Sequence, residues 1–150
     1  MFLARRAGYA GDLGDPCVRQ DAAVEVLSSR VLLRPTDPVR SRAFYGDVLG
    51  LAVYREFGPP QNRGVVYFLG NGLLEVSGRS DEPPRGLALW VQVRDVAAEH
   101  TRLATAGVKV TQPPRLEPWG LVEMWIEDPD GVAVALVQVP EDHPLRRDRR

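Results

Sequence analysis

The chain has 150 residues, of which 44% are hydrophobic and 26% charged, and a formal net charge of −1. That length amounts to about one domain, long enough to bury a core. The balanced charge excludes the long-range field that draws proteins to nucleic acid or anionic membranes, so neither is expected as a partner. With Cys17 as its only cysteine, the chain excludes an internal disulfide framework. No cluster has the spacing of a structural zinc site. No apolar run reaches membrane-spanning length and Met1 to Arg6 do not open a signal peptide, so the cytoplasm is the expected location.

In chain order, residues 1–25 lack lasting periodicity and read as a flexible N-terminal extension. Val31 to Arg34 form the first expected strand. Asp37 is placed to cap a helix with Pro38 in its first turn, and Val39, Ala43, Phe44, Val48 and Leu49 offer an apolar stripe before Gly50. A short strand is expected at Leu51 to Tyr54, a turn at Pro59 to Asn62, and strands at Gly64 to Leu69 and Leu73 to Ser77. Asn71-Gly72 between the last two is a hairpin signal, because both residues tolerate positive φ. A polar stretch with Pro83-Pro84 then reads as a linker.

The pattern starts again at Leu87 to Val93. Asp95 is placed to cap a second helix, whose Val96, His100, Leu103 and Ala104 face roughly together and which Gly107 closes. Val108 to Val110 read as a strand, Pro113-Pro114 as the start of a loop running to Gly120, and Leu121 to Glu127 and Val132 to Val139 as the last strands. Residues 141–150 read as a flexible tail. The domain proper spans 26–140, with modules at 30–80 and 86–139. Asp37 and Asp95, Gly50 and Gly107, and the Gly70-Asn71-Gly72 and Asp130-Gly131 turns recur at an offset of about 60 residues. Each unit alone is too small to bury its sheet, so the two should pair.

These residues carry a family resemblance. Asp37, the run Arg42-Ala43-Phe44-Tyr45-Gly46-Asp47-Val48-Leu49-Gly50-Leu51, and Glu127-Asp128-Pro129-Asp130-Gly131 resemble the vicinal oxygen chelate superfamily over residues 30–139. That superfamily includes glyoxalase I, extradiol dioxygenases and the bleomycin and fosfomycin resistance proteins. The resemblance implies an α+β fold of two βαβββ modules forming a curved mixed sheet around a cavity. It implies no single reaction, because members range from metal enzymes to passive drug binders. Members also form homodimers, often completing each cup with modules from both chains, so a homodimer is expected. Whether the two units pair within one chain or across a dimer stays open.

The resemblance places the metal ligands of such proteins at Arg30, Glu75, Gly86 and Ala135. Only Glu75 supplies a carboxylate, and a lone carboxylate beside an arginine is a poor metal site. No metal and no cofactor are therefore expected. His100 sits within a helix and His143 in the tail, neither with a ligand partner at useful spacing. Glu75 is either a general base between apolar walls or an ion-pair partner of Arg30 or Arg34.

Strand alternation predicts the lining of the cup. Arg30, Leu32 and Arg34 share one face. Gly86, Ala88, Trp90 and Gln92 share another, opposite an apolar set of Leu87, Leu89, Val91 and Val93 that should pack under a helix. Glu75 and Ser77 join the cup from one unit and Ala133, Ala135 and Val137 from the other. Trp119 lies in the proline-bounded loop and either stacks on a ligand or pins the loop. Trp125 reads as core or dimer interface.

Arg30, Leu32, Arg34, Glu75, Trp90, Gln92, Trp119 and Ala135 are thus the expected ligand-binding residues. Three functions compete. The first is a metal-independent binding protein for a small aromatic or amphipathic molecule, of the bleomycin-resistance type, with antibiotic resistance as one use. The second is a lyase, isomerase or dioxygenase with Glu75 as its catalytic base or as part of an atypical metal site. The third is a dimer with an unused cup.

Overall fold

The computed structural model describes residues 24–147. Nearly all of the expected N-terminal extension, Cys17 and the last three residues lie outside the described residues. Two units with the same element order follow one another. The first holds β1 (Val31–Leu33), α1 (Pro38–Ala43), β2 (Val53–Phe57), β3 (Gly64–Leu69) and β4 (Gly72–Val76), with sheet order β1-β4-β3-β2. The second holds β5 (Ala88–Gln92), α2 (Val96–Thr105), β6 (Val110–Leu116), β7 (Val122–Glu127) and β8 (Ala133–Gln138), with order β5-β8-β7-β6. In each sheet the first and last strands of the unit run parallel and the other neighbours antiparallel. These are the two βαβββ modules and mixed sheets of the expected α+β fold. A short helix, α3 (Pro144–Arg147), follows β8.

Local chemistry sets the helices. The Asp37 carboxylate accepts the N–H groups of Val39 and Arg40, and Pro38 needs no partner in the first turn. After Ala43 the helix widens into a π-helical turn over Phe44–Val48, with the Leu49 N–H reaching back to the Phe44 carbonyl at 2.8 Å. The wider turn rotates the buried face. Phe44 and Tyr45 both enter the core, while Val39, expected on the apolar stripe, is 68% exposed. In the second unit the Asp95 carboxylate accepts the Ala98 N–H, and Val96 and Leu103 are fully buried.

Two other sequence expectations shift. The β3–β4 hairpin turns on Gly70-Asn71 rather than Asn71-Gly72: Leu69 pairs with Gly72, Gly70 has φ +61°, and Asn71 does not enter the left-handed region. The positive φ thus falls on the first loop residue, which glycine adopts without strain. Pro113-Pro114 lie inside β6, not in a loop. β6 is an edge strand and its pairing with β7 shifts register twice along this stretch, so two residues without N–H groups leave no ladder bond unmade.

The helix-covered faces of both sheets share one core. Leu33, Leu74, Val76, Val65 and Tyr67 from the first sheet join Leu89, Met124, Ile126, Val134 and Leu136 from the second, with Phe44, Tyr45, Val96 and Leu103 from the helices. A polar junction crosses that core. The buried Asp128 accepts the Tyr45 hydroxyl at 2.9 Å on one oxygen, and the Asp130 and Val132 N–H groups on the other. Asp130 in turn accepts the Thr36 hydroxyl and, at 2.8 Å, the Thr36 N–H, and the Arg102 guanidinium donates to the Val48 carbonyl at 2.7 Å. Loss of water around Asp128 raises its carboxyl above the usual range, against the lowering effect of the bonds it accepts. Burial first, and then the Asp128 charge, push the Tyr45 hydroxyl far up, so it stays a donor. The family-marking residues Tyr45 and Asp128-Pro129-Asp130-Gly131 therefore weld the two units together.

Candidate functional site

With their helix-covered faces committed to the shared core, the sheets leave their other faces open. On the first sheet the register aligns Leu32 of β1, Glu75 of β4, Val66 of β3 and Arg55 of β2 in one row. Leu32 is 53% exposed, whereas Val66, in the middle of the row, is fully covered. Arg30 donates to one oxygen of Glu75 at 2.9 Å, and Ser77 donates to the other at 2.7 Å. Both oxygens of Glu75 are thus engaged, and the carboxylate is largely covered. Arg34 lies against Gly78 at the end of the face, where an added methyl group would meet the guanidinium.

On the second sheet the same argument builds a wider grid. Gln92, Val137, Glu123 and Arg115 form one row across β5, β8, β7 and β6. Trp90, Ala135, Trp125 and Gln112 form the next, and Ala88, Ala133 and Glu127 a third. Trp90 is 50% exposed on this face, while Leu89 and Val91 turn the other way into the core. Ala135 is fully buried with Val137, Leu121 and Val139 in a small cluster on which Trp125 packs. Trp119 reaches back from its loop to donate its indole N–H to Glu123 at 2.7 Å. The loop itself is tied down: Glu117 accepts from Gln112 and Arg115, and the His143 ring bonds the Trp119 carbonyl at 3.0 Å.

The structure places Arg30, Leu32, Arg34 and Glu75 on one open face and Trp90, Gln92, Trp119 and Ala135 on the other. Among the described residues no hydrogen bond or ion pair joins Arg30, Arg34 or Glu75 to Trp90 or Trp119. Among the described residues a cavity of about 690 Å³ opens beside Trp90 and Gln92 between β5 and the β3–β4 turn, with Arg94 and Arg146 at its border. That is a size that holds an organic ligand. A second, of about 480 Å³, lies on the far side of the same turn against Tyr54 and Phe68.

The donors do not suit a metal. Glu75 is registered with Leu32, and Ala135 with Trp90, so the central rows of the two faces hold one carboxylate between them. Among the described residues no group of three His, Cys, Asp or Glu side chains is placed to hold a metal ion. No helix among them is long and apolar enough to cross a membrane.

Sequence reasoning missed Glu123 and the face of Trp125. The signal was present: Glu123, Trp125 and Glu127 alternate along β7, and a buried Glu123 between apolar Leu121 and Trp125 breaks the strand's apolar pattern on that face. What the sequence alone lacked was the register that sets Trp125 opposite Ala135.

A family model described as the glyoxalase/bleomycin resistance protein/dioxygenase superfamily matches residues 28–136. No curated protein matches the chain. Among solved structures, TnmS3, an antibiotic binding protein from Streptomyces sp. CB03234, is 23% identical with a TM-score of 0.66, over 79% of this chain and 99% of its own. A glyoxalase-related enzyme from Fulvimarina pelagi is 24% identical with a TM-score of 0.62, over 78% of this chain and 90% of its own. A superfamily member from Sphaerobacter thermophilus is 22% identical with a TM-score of 0.63, over 76% and 98%. At these identities the likeness is one of fold.

Proposed function

This chain belongs to the glyoxalase/bleomycin resistance protein/dioxygenase superfamily, and from that premise we propose that it binds a small aromatic or amphipathic organic molecule without a metal, as a homodimer. The observation that carries the reading is the open face of the second sheet. All three tryptophans of the chain lie on that face, Trp90 half exposed at the cavity, Trp125 across Ala135 from it, and Trp119 bonded to Glu123. Flat indole walls with a few fixed polar groups suit a flat organic ligand. Engagement of Glu75 by Arg30 and Ser77 supports a structural or ligand-orienting part for that carboxylate over a free base.

The cup needs a second wall. Within one chain the two open faces lie on separately hydrogen-bonded sheets whose other sides share the core. Arg30–Glu75 on the first face and Arg115–Glu117 and Lys109–Glu127 on the second are ion pairs within a face; beside them the first face carries Arg34 and Arg55, and the second Glu123, with Arg94 and Arg146 at the border of its cavity. In a two-fold dimer the first sheet of one protomer would close over the second sheet of its partner, twice. Arg30 and Leu32 would then meet Trp90 and Gln92 across the ligand. Antibiotics, the class that TnmS3 is described as binding, are the first compounds to screen.

The test is titration of the tryptophan fluorescence with a panel of flat aromatic compounds, alongside light scattering on the same samples. Saturable quenching by a dimer, lost in Trp90→Ala, is the expected result. A monomer whose fluorescence no compound saturates would overturn the reading.

A further inference from the structure

Glu123 is a carboxylate in an unusual position. It is 5% exposed, on the face of β7 turned away from the shared core, between the apolar Val137 on the neighbouring strand and the indoles of Trp119 and Trp125. A buried carboxylate is ordinarily held by a cation. Arg115 is its registered neighbour on β6, yet the Arg115 guanidinium turns to Glu117, donating twice to one of its oxygens at 3.0 and 2.8 Å. None of the ion pairs among the described residues includes Glu123. Among the described residues Glu123 has one neutral donor, the indole N–H of Trp119, a residue that is itself 58% exposed.

We infer that Glu123 is the specificity-determining residue of this face, recognising a protonated amine on a flat aromatic ligand, and that Trp119 holds its place until the amine arrives. This rests on the small-molecule reading above and names the ligand class. A charged donor makes a stronger bond to a carboxylate than a neutral indole does, so exchange favours the cation. The Trp119 and Trp125 rings beside Glu123 add the attraction of their π faces for a cation. An anionic ligand meets a buried carboxylate and is rejected. Because Trp119 sits on a loop pinned at Glu117 and His143, its ring can leave Glu123 and lie over the ligand while the loop backbone stays in place.

The experiment uses three matched probes at mildly alkaline pH: aminoacridine, which is cationic, acridine, which is neutral, and an acridine carboxylate. Each is titrated into wild type, Glu123→Gln and Trp119→Phe, with tryptophan quenching as the readout. Gln keeps the shape of Glu and still accepts the indole N–H. Wild type should prefer aminoacridine over acridine by about tenfold or more, the worth of one charge-assisted bond, and should bind the carboxylate weakest. Glu123→Gln should collapse that preference to near unity. Trp119→Phe, which removes the competing donor and keeps a ring, should retain or widen it. Equal binding of aminoacridine and acridine by wild type, or an unchanged preference in Glu123→Gln, overturns the inference and leaves the small-molecule reading standing. Saturable binding of no probe overturns both.

Discussion

The two faces of each sheet do different work, and they differ in how they use polar groups. On the helix-covered side the buried polar atoms are tied inward: Asp128 satisfies both oxygens with Tyr45 and two backbone N–H groups, and Asp130 takes Thr36. On the other side the partners are exposed or half-exposed side chains, such as Trp119 on Glu123 and Arg30 on Glu75. One side specifies a fold and the other is left adjustable, which is how one architecture comes to serve many ligands.

If this division is right, substitutions on the two sides should separate stability from binding. The largest stability loss should come from Asp128→Ala, which strands the Tyr45 hydroxyl and two backbone donors. A drop of about 3 kcal/mol or more is expected by denaturant unfolding. Tyr45→Phe leaves one buried carboxylate oxygen unmatched and should cost about 1–3 kcal/mol. Trp90→Ala should do the reverse, weakening ligand binding by about tenfold or more while moving stability by about 0.5 kcal/mol, because half of its side chain is already in water. A Trp90→Ala protein that unfolds as readily as Asp128→Ala would break the division.

The junction also carries a pH signature. Burial holds the Asp128 carboxyl above its ordinary value, so folding favours its protonated form. Its contribution is fully present below the unfolded carboxyl value and is lost as pH rises through the raised folded one. The stability of wild type minus that of Asp128→Asn should therefore fall with rising pH across the mildly acidic range. A flat difference would place the cost elsewhere. The smallest expected effect is at the β3–β4 turn: Gly70→Ala should cost about 1 kcal/mol from its positive φ, whereas Asn71→Ala should cost less.

Most of the fold was legible because it is written in local chemistry. Asp37 and Asp95 announce their helices as side-chain caps, and the alternation in Leu87 to Val93 separates core from open face without any partner strand. The errors share a cause. The π-helical turn at Phe44, the Gly70-Asn71 turn and the passage of β6 through Pro113-Pro114 are each a shift of register that leaves composition untouched. The faces that carry the candidate site were legible one sheet at a time. Trp90 and Glu75 could be placed on open faces by parity, but Trp125 and Glu123 needed the β7–β8 register. The relation between the two faces needed the shared core, which no single strand encodes.

The central claim is that a binding cup takes one wall from each of two chains, and mixing tests it most directly. Leu32→Asp alters only the first face and Trp90→Ala only the second, and each homodimer should fail to bind acridine. Refolding the two together and isolating the mixed dimer by two affinity tags should restore one intact cup in each heterodimer, because one of its two pairings joins an unaltered first sheet to an unaltered second sheet. Recovery of saturable binding in the mixed dimer is the result this account predicts. A mixed dimer as inactive as its parents would show that each cup is built within one chain and would contradict it.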